Sequence, residues 1–362
     1  MQKLHKIVIL ICLCAGIFLI IVWNINNKLY VEIFESDGVV YKSVLTRSDE
    51  LFDLKLNYTL NSKLCENKSE QYFAVFIVTS YFANVETRSA MRRAYSNEDL
   101  KQMGLRRVFL LGFNDRDKFL TQASIANEAE RFGDIVQGNF KEAYRNLTYK
   151  HVMGLKWISN YCSNTKYVIK MDDDTVVDMK QFLDLLKKLK LPSPNYIVGY
   201  ILRGMAPIRE RANKWYVTND EYKLSKYPTF VSGWLYVTTP QVAMEISNLA
   251  YEDNYFWIDD VLVTGIFAQK LKIRHLNLNR YFAVHAELMD CCLQDLPNIR
   301  CDFLIGPNGG DNDMFYNFNK LSAECLANKC PHRSRPLNET CVVEKKDKLE
   351  HGNAIIHAYK LS

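Results

Sequence analysis

Histidine is scarce: seven residues in a chain of 362. That argues against a metal-dependent phosphohydrolase, whose centre would gather several histidines beside its acids. An excess of charge of one sign is also missing. The 46 Lys and Arg are interspersed with 41 Asp and Glu, the net charge is +5, and no basic stripe of nucleic-acid size stands out. A polyanion partner is therefore not indicated, although a small anionic ligand stays open. No internal repeat is visible, and with 48% hydrophobic and 12% aromatic residues the chain is not disordered but has material for a sizeable core.

The run Ile7 to Trp23, IVILICLCAGIFLIIVW, lacks charge and proline and is followed by no A-x-A cleavage pattern. It is long enough, at the lower limit, to span a bilayer, which favours an uncleaved signal-anchor over a cleaved signal peptide. Lys3, His5 and Lys6 precede it, so the positive-inside rule keeps residues 1–6 cytosolic and sends the rest into a lumen. Acceptor sequons at Asn57, Asn67, Asn146 and Asn338, and eight of ten cysteines beyond the anchor, agree with an oxidising compartment.

Residues 24–70 are polar and read as a stem. Short β-rich runs begin at Tyr72 (YFAVFIVTS, RRVFLLGF, KYVIKM) and alternate with helical periodicity over Val85 to Tyr95, Phe119 to Phe132, Tyr144 to Tyr161, Lys180 to Leu189, Gln241 to Leu249 and Asp260 to Lys270. This predicts an α/β fold with a mostly parallel sheet covered by helices on both faces, and a ligand site beyond the carboxyl ends of the strands. The predicted organisation is a 1–6 tail, a 7–23 transmembrane helix, a 24–70 stem, a 71–290 catalytic domain and a cysteine-rich 291–362 tail.

The segment VIKMDDDTVVD ends a strand with three carboxylates. Residues two apart in extended chain point the same way, so Asp172 and Asp174 can converge on one hard divalent cation while Asp173 turns aside. The bland alternative is capping of the following helix, for which one aspartate would suffice. An EF-hand is excluded, since Val177 and Leu183 stand where glycine and glutamate are required. A second acidic pair, Asp259 and Asp260, follows the aromatic YFWI: it is either another cap or a general base beside surfaces that suit a sugar ring. His285 is either packed or a metal ligand. Arg88 and Arg92, four apart on one helix face, are either a solvated pair or a phosphate contact. The aromatic-rich segment from Pro207 to Val237 suits either core edge or sugar binding.

Taken in order, VTSYFANVETRSAMRRAY, VFLLG, FGDIVQGNFKEAYRNLTYKHVMGLKWISNYC, YVIKMDDDTVVD, PIRERANKWYVT, YPTFVSGWLYV, IDDVLVTGIFA and FAVH resemble the inverting β-1,3-glycosyltransferases of glycosyltransferase family 31 over about Phe73 to His285. The resemblance implies a single-pass type II Golgi membrane protein with a lumenal GT-A domain. It implies that Asp172 and Asp174 form the metal-binding DxD element, that His285 is the remaining metal ligand, and that Asp260 is the catalytic base with Asp259 beside it. Arg88, Arg92 and Lys170 match basic positions that touch the donor; Asp173 is grouped with them, its role fixed by neither motif nor spacing. The implied partners are a UDP-sugar, Mn²⁺ or another divalent cation, and an acceptor glycan on a glycolipid or glycoprotein. The implied reaction is a single displacement carrying galactose, N-acetylglucosamine or N-acetylgalactosamine. The chain departs from the family pattern at Ala94, Tyr95 and Trp234, and beyond Ala286 no alignment can be drawn. A sugar-binding or chaperone-like protein on the same fold is the competing reading, opposed by the intact acids at Asp172, Asp174 and Asp260.

Overall fold

A computed structural model describes residues 56–342 except 68, 115–119 and 190–193, together with the backbone of residues 33–34, 343–344 and 358–360. The expected anchor 7–23 and tail 1–6 lie outside the described residues, as does nearly all of the stem before residue 56. Among the described residues no helix is long and apolar enough to cross a membrane. The chain divides into two compact units, Met1–Ile33 and Phe34–Ser362; the sheet, helices and cleft below belong to the second.

The strands are β1 Tyr58–Leu60, β2 Tyr72–Thr79, β3 Leu105–Phe113, β4 Ile135–Lys141, β5 Thr165–Asp172, β6 Thr175–Val177, β7 Tyr196–Leu202, β8 Phe230–Thr238, β9 Arg274–Asn277 and β10 Ile305–Pro307. The longer helices are α1 Val85–Ala94, α2 Gln122–Phe132, α3 Leu147–Tyr161, α4 Met179–Lys188, α5 Pro240–Leu249, α6 Ala286–Asp295 and α7 Met314–Ala327. The main sheet runs β9-β7-β8-β5-β2-β3-β4-β1. Its centre, β5-β2-β3-β4, is parallel as expected. The sheet as a whole is mixed rather than mostly parallel, because β8 is antiparallel to both β5 and β7 and β1 is antiparallel to β4. The reversal has a purpose: it brings the first residues of β8 beside the carboxyl end of β5, where the acidic triplet lies.

Side-chain alternation along β2 shows that helices cover both faces. Val75 and Ile77 join Val152, Met153 and Leu155 of α3 in the large core, whereas Phe76 shares a small cavity with Met91 of α1 and Phe315 of α7. Helix starts follow their caps. Thr121 Oγ1 accepts from the Ser124 amide, Thr239 Oγ1 from Val242 and an Asp178 carboxylate oxygen from Gln181. The helix after the aspartate triplet is therefore capped by Asp178, and the capping explanation for Asp172 to Asp174 falls.

Two segments assigned to appendages are part of this body. Strand β1, within the expected stem, pairs with β4, and Cys65 is disulfide-bonded to Cys162 at the end of α3. Strand β10 pairs with β6, and the remaining bridges are Cys291–Cys341, Cys292–Cys301 and Cys325–Cys330. All eight cysteines beyond residue 24 are thus paired.

Arg88 and Arg92 do not face a ligand. Arg88 is fully buried and donates from Nε and Nη2 to the two oxygens of Glu128, with further bonds to Ser80 Oγ and the carbonyls of Tyr81 and Phe82. Arg92 binds Glu128 and both oxygens of Asp134. Their guanidinium N–H groups are turned to these internal acceptors rather than to a phosphate, which corrects the expectation that they touch a donor. Burial pushes the Glu128 carboxyl up, but the two guanidiniums outweigh it and hold it below the ordinary value of 4.5. The stabilisation is thus full above that value and lost as pH falls through the depressed one. Glu128→Ala is expected to cost about 3–5 kcal/mol at neutral pH by leaving the buried Arg88 cation without a carboxylate, Arg92 keeping Asp134. Denaturant unfolding at neutral and acid pH checks this; the gap to wild type should narrow in acid.

Candidate active site

Lys170 and Asp172 are two apart on β5 and so share a face. The Lys170 ammonium is buried and donates to Asp172 Oδ1 at 2.7 Å and to the Gly233 carbonyl at 2.7 Å. Burial alone would lower its pKa, but Asp172, Asp259 and Asp260 outweigh burial and raise it, so it is a permanent cation. The strand reaches the rim of the sheet at Asp172, whose neighbour across the parallel ladder is Thr79, the last residue of β2. Desolvation pushes the Asp172 carboxyl up to about 7; Asp174 and Asp259 add to this and Lys170 opposes it.

The triplet separates as its spacing predicts. Asp172 and Asp174 both line one cleft, and Asp173 does not. Asp173 accepts from Ser80 Oγ at 2.7 Å and Asn84 Nδ2 at 3.0 Å, and its amide donates to the Thr79 carbonyl at 3.1 Å. It fastens the turn after β5 to the loop after β2, which corrects its grouping with the donor-binding residues. The Asp174 carbonyl accepts from the Asn308 amide at 2.8 Å, so the segment just past β10 holds the other side of the turn.

Asp259 and Asp260 face the same cleft from the start of a π-helical segment, Val261–Phe267. Such segments in proteins often occur at functional positions. The Asp260 side chain makes no capping bond to this segment. Its Oδ2 instead accepts from the Gly233 amide at 2.8 Å, while Thr264 Oγ1 donates to its carbonyl at 2.7 Å. Desolvation, then the charge of Asp259 and that of Asp172, push the Asp260 carboxyl well up against the opposing Lys170. A β-carbon at position 233 would lie 2.2 Å from Asp260 Oδ1 and 2.8 Å from Lys170 Nζ. Only glycine lets the backbone pass between these groups.

The cleft has a volume of about 520 Å³ and aromatic walls that include Tyr144, Trp215, Trp234 and Trp257. Trp215 and Tyr144 are exposed. Four carboxylates against the ammoniums of Lys170 and Lys214 make the lining acidic. An anionic ligand would be repelled unless it arrived with a cation, and an all-oxygen donor set at Asp172 and Asp174 suits Mg²⁺ or Mn²⁺.

His285 is exposed, is not among the residues that line the cleft, and directly precedes α6. Its place in the chain, at the turn from Phe282 into α6, is set by the bridge of Phe282 to Ile305 of β10. Among the described residues the group with ligand atoms within 4.8 Å of one another is His151, Asp259 and Asp260. Both His151 nitrogens already have partners, Nδ1 at 2.8 Å from Asp259 Oδ2 and Nε2 at 2.7 Å from the Tyr236 hydroxyl. The sequence reading missed His151, Tyr236, Lys150 and Glu142. Lys150 Nζ bonds the Ser80 carbonyl and Glu142 Oε1, and Glu142 Oε2 accepts from the Gly112 amide, so one buried pair ties together the loops after β2 and β4 and the last residues of β3. The available signal was the Lys150-His151 pair inside a helix otherwise destined for the core.

The family model described as galactosyltransferase matches residues 86–279 of this chain. The chain belongs to the galactosyltransferase family. It is similar to human beta-1,3-galactosyltransferase 2, to which it is 33% identical over 241 residues, 66% of this chain and 56% of the relative. Mouse beta-1,3-galactosyltransferase 5 is 36% identical over 208 residues, 57% of this chain and 66% of the relative. The chain thus spans between about half and two thirds of the length of these relatives. The resemblance to the β-1,3-glycosyltransferases of family 31 is borne out. The match begins within α1 and ends just past β9, so it contains both acidic pairs of the galactosyltransferase-family cleft.

Gly233→Ala is expected to cost about 1–3 kcal/mol through overpacking against Asp260 and Lys170. Denaturant unfolding measures this, and an unchanged midpoint would show that the two side chains give way freely.

Proposed function

We propose that the chain is a Golgi membrane glycosyltransferase of single-pass type II topology with its catalytic unit in the lumen. In this reading it moves a hexose from a UDP-sugar to an acceptor glycan of a glycolipid or glycoprotein, forming a β-1,3 linkage with inversion. One observation carries the proposal: Asp172 and Asp174 on one side, and Asp259 and Asp260 on the other, line a single cleft at the carboxyl ends of the strands. The mixed sheet with its cleft at the strand ends supports assignment to the GT-A class. The relatives bear the name β-1,3-galactosyltransferase, which favours galactose over N-acetylglucosamine or N-acetylgalactosamine as the sugar moved.

The lining fits a divalent cation, manganese in this reading, held by Asp172 and Asp174. When bound, that ion supplies neutralisation of the charge gathering on the departing diphosphate. The protein's own residues do the rest. Asp260, its basicity raised by burial and by Asp259, takes the proton from the acceptor hydroxyl. The Gly233 amide fixes the direction of that carboxylate, and Lys170 fixes Asp172. Tyr144, Trp215, Trp234 and Trp257 offer flat faces on which sugar rings can lie while water is excluded.

The test is to incubate the protein with Mn²⁺ and a panel of UDP-sugars and to follow UDP release with and without acceptor glycans. Acceptor-dependent release is expected with at least one donor, and silence on every donor would overturn the reading. Asp172→Asn should weaken cation-dependent donor binding. Asp260→Asn should leave donor affinity near that of wild type and lower turnover by about 10²–10⁴-fold.

A further inference from the structure

Two adjacent carboxylates in one cleft present a problem of proton placement. Asp259 and Asp260 are neighbours in sequence, both face the cleft, and both are near the same ammonium, that of Lys170. A proton entering the pair could settle on either, and only one of the two places it usefully for chemistry. The structure treats them differently. Asp260 receives one bond from a backbone amide, that of Gly233. Asp259 Oδ2 lies 2.8 Å from His151 Nδ1, and His151 is completely buried on α3 with its other nitrogen against Tyr236 of β8.

The proton positions along this chain follow from the partners. The Tyr236 hydroxyl is buried beside two carboxylates, and desolvation with those charges raises its pKa well above the ordinary value, so it keeps its proton. Burial pushes the His151 imidazole down, towards its neutral form, although Asp259 opposes this. A neutral imidazole has one N–H. If Tyr236 donates to Nε2, the single N–H sits on Nδ1 and points at Asp259. Burial raises the Asp259 carboxyl, but this bond and the Lys170 charge outweigh it and hold it below the usual range, whereas Asp260 is pushed up. The groups facing the pair are Lys170 and Asp172 from β5, Tyr236 and the Gly233 amide from β8, His151 from α3, and Tyr144 at the cleft wall.

We propose that His151 is a positioning residue: clamped between Tyr236 and Asp259, it keeps the negative charge of the acidic pair on Asp259 and so leaves Asp260 as the carboxylate that gains the proton. This rests on the reading of Asp260 as a general base. In the balance of the step, the acceptor O–H bond breaks as its oxygen bonds to the anomeric carbon of the donor sugar, the bond from that carbon to UDP breaks with the electron pair leaving on UDP, and the proton passes to an Asp260 oxygen; Asp259 stays a carboxylate, and His151 and Tyr236 keep the protons they had.

The proposal separates from a packing role by its pH dependence. Without the Nδ1 donor, Asp259 takes the first proton, and an Asp260 beside a neutral Asp259 is a weaker base that loses its charge only at lower pH. His151→Leu is therefore expected to lower kcat by about tenfold with little change in the donor KM, and to move the acid limb of the kcat profile to lower pH. His151→Asn, whose amide N–H can take the place of Nδ1–H, should restore the wild-type limb. Nitrogen-15 NMR of the wild-type protein should find the proton on Nδ1, and carboxyl carbon-13 titration should find Asp259 protonating below Asp260. An acid limb unmoved in a folded His151→Leu protein, or a proton on Nε2 in wild type, overturns the proposal. If wild type turns over no donor, the functional reading falls, and the two NMR measurements still decide where the proton resides.

Discussion

The ammonium of Lys170 is the interaction on which the cleft depends. It lies in the sheet among four carboxylates and is bonded to the Asp172 carboxylate and the Gly233 carbonyl. Removing one partner of a buried charge pair leaves the other uncompensated, a cost of several kcal/mol in proteins generally. The acids therefore cannot be understood one at a time. Lys170 opposes the upward push of burial on Asp172 and on Asp260, and anchors the β8 backbone at the residue whose amide orients Asp260. The antiparallel insertion of β8 is what makes that bridging possible, since a parallel strand would present its other end to the rim.

A second layer of buried ion pairs supports the first from behind. Lys150 with Glu142 joins the loops after two parallel strands and the end of a third, and Arg88 with Glu128 closes the loop after β2 onto α2. Asp173 connects this layer to the acidic turn through Ser80 and Asn84. Loops at the carboxyl ends of strands are ordinarily the variable part of an α/β protein. Here they are held by charge-assisted bonds, which are directional and stronger than neutral ones.

Much of this was legible beforehand, for physical reasons. The strand and helix periods of the central sheet are strong signals, and the helix starting at residue 85 and those ending at residues 132, 161 and 249 match the expected bounds at those ends. The division of Asp172 and Asp174 from Asp173 followed from the two-residue repeat of extended chain alone. Arg88 and Arg92 were misassigned because an arginine pair on a helix looks the same whether it meets a phosphate or a distant carboxylate, and Glu128 and Asp134 are 40 residues away in sequence. Antiparallel β8 was hidden because strand direction leaves no trace in local composition. His151 was hidden because a histidine inside an apolar helix carries no sign of what stands opposite it.

The pairing of β6 with β10 carries a consequence for biosynthesis. Strand β6 follows the acidic turn directly, and its partner β10 lies some 130 residues further along, with the Asn308 amide completing the hold on Asp174. Chains emerge from the ribosome N-terminus first, so the central parallel strands can assemble while this partner is still being made. The acidic turn gains this support only once synthesis has passed residue 308. A product cut short before residue 305 would retain every residue of the two acidic pairs and still lack the strand that steadies one of them.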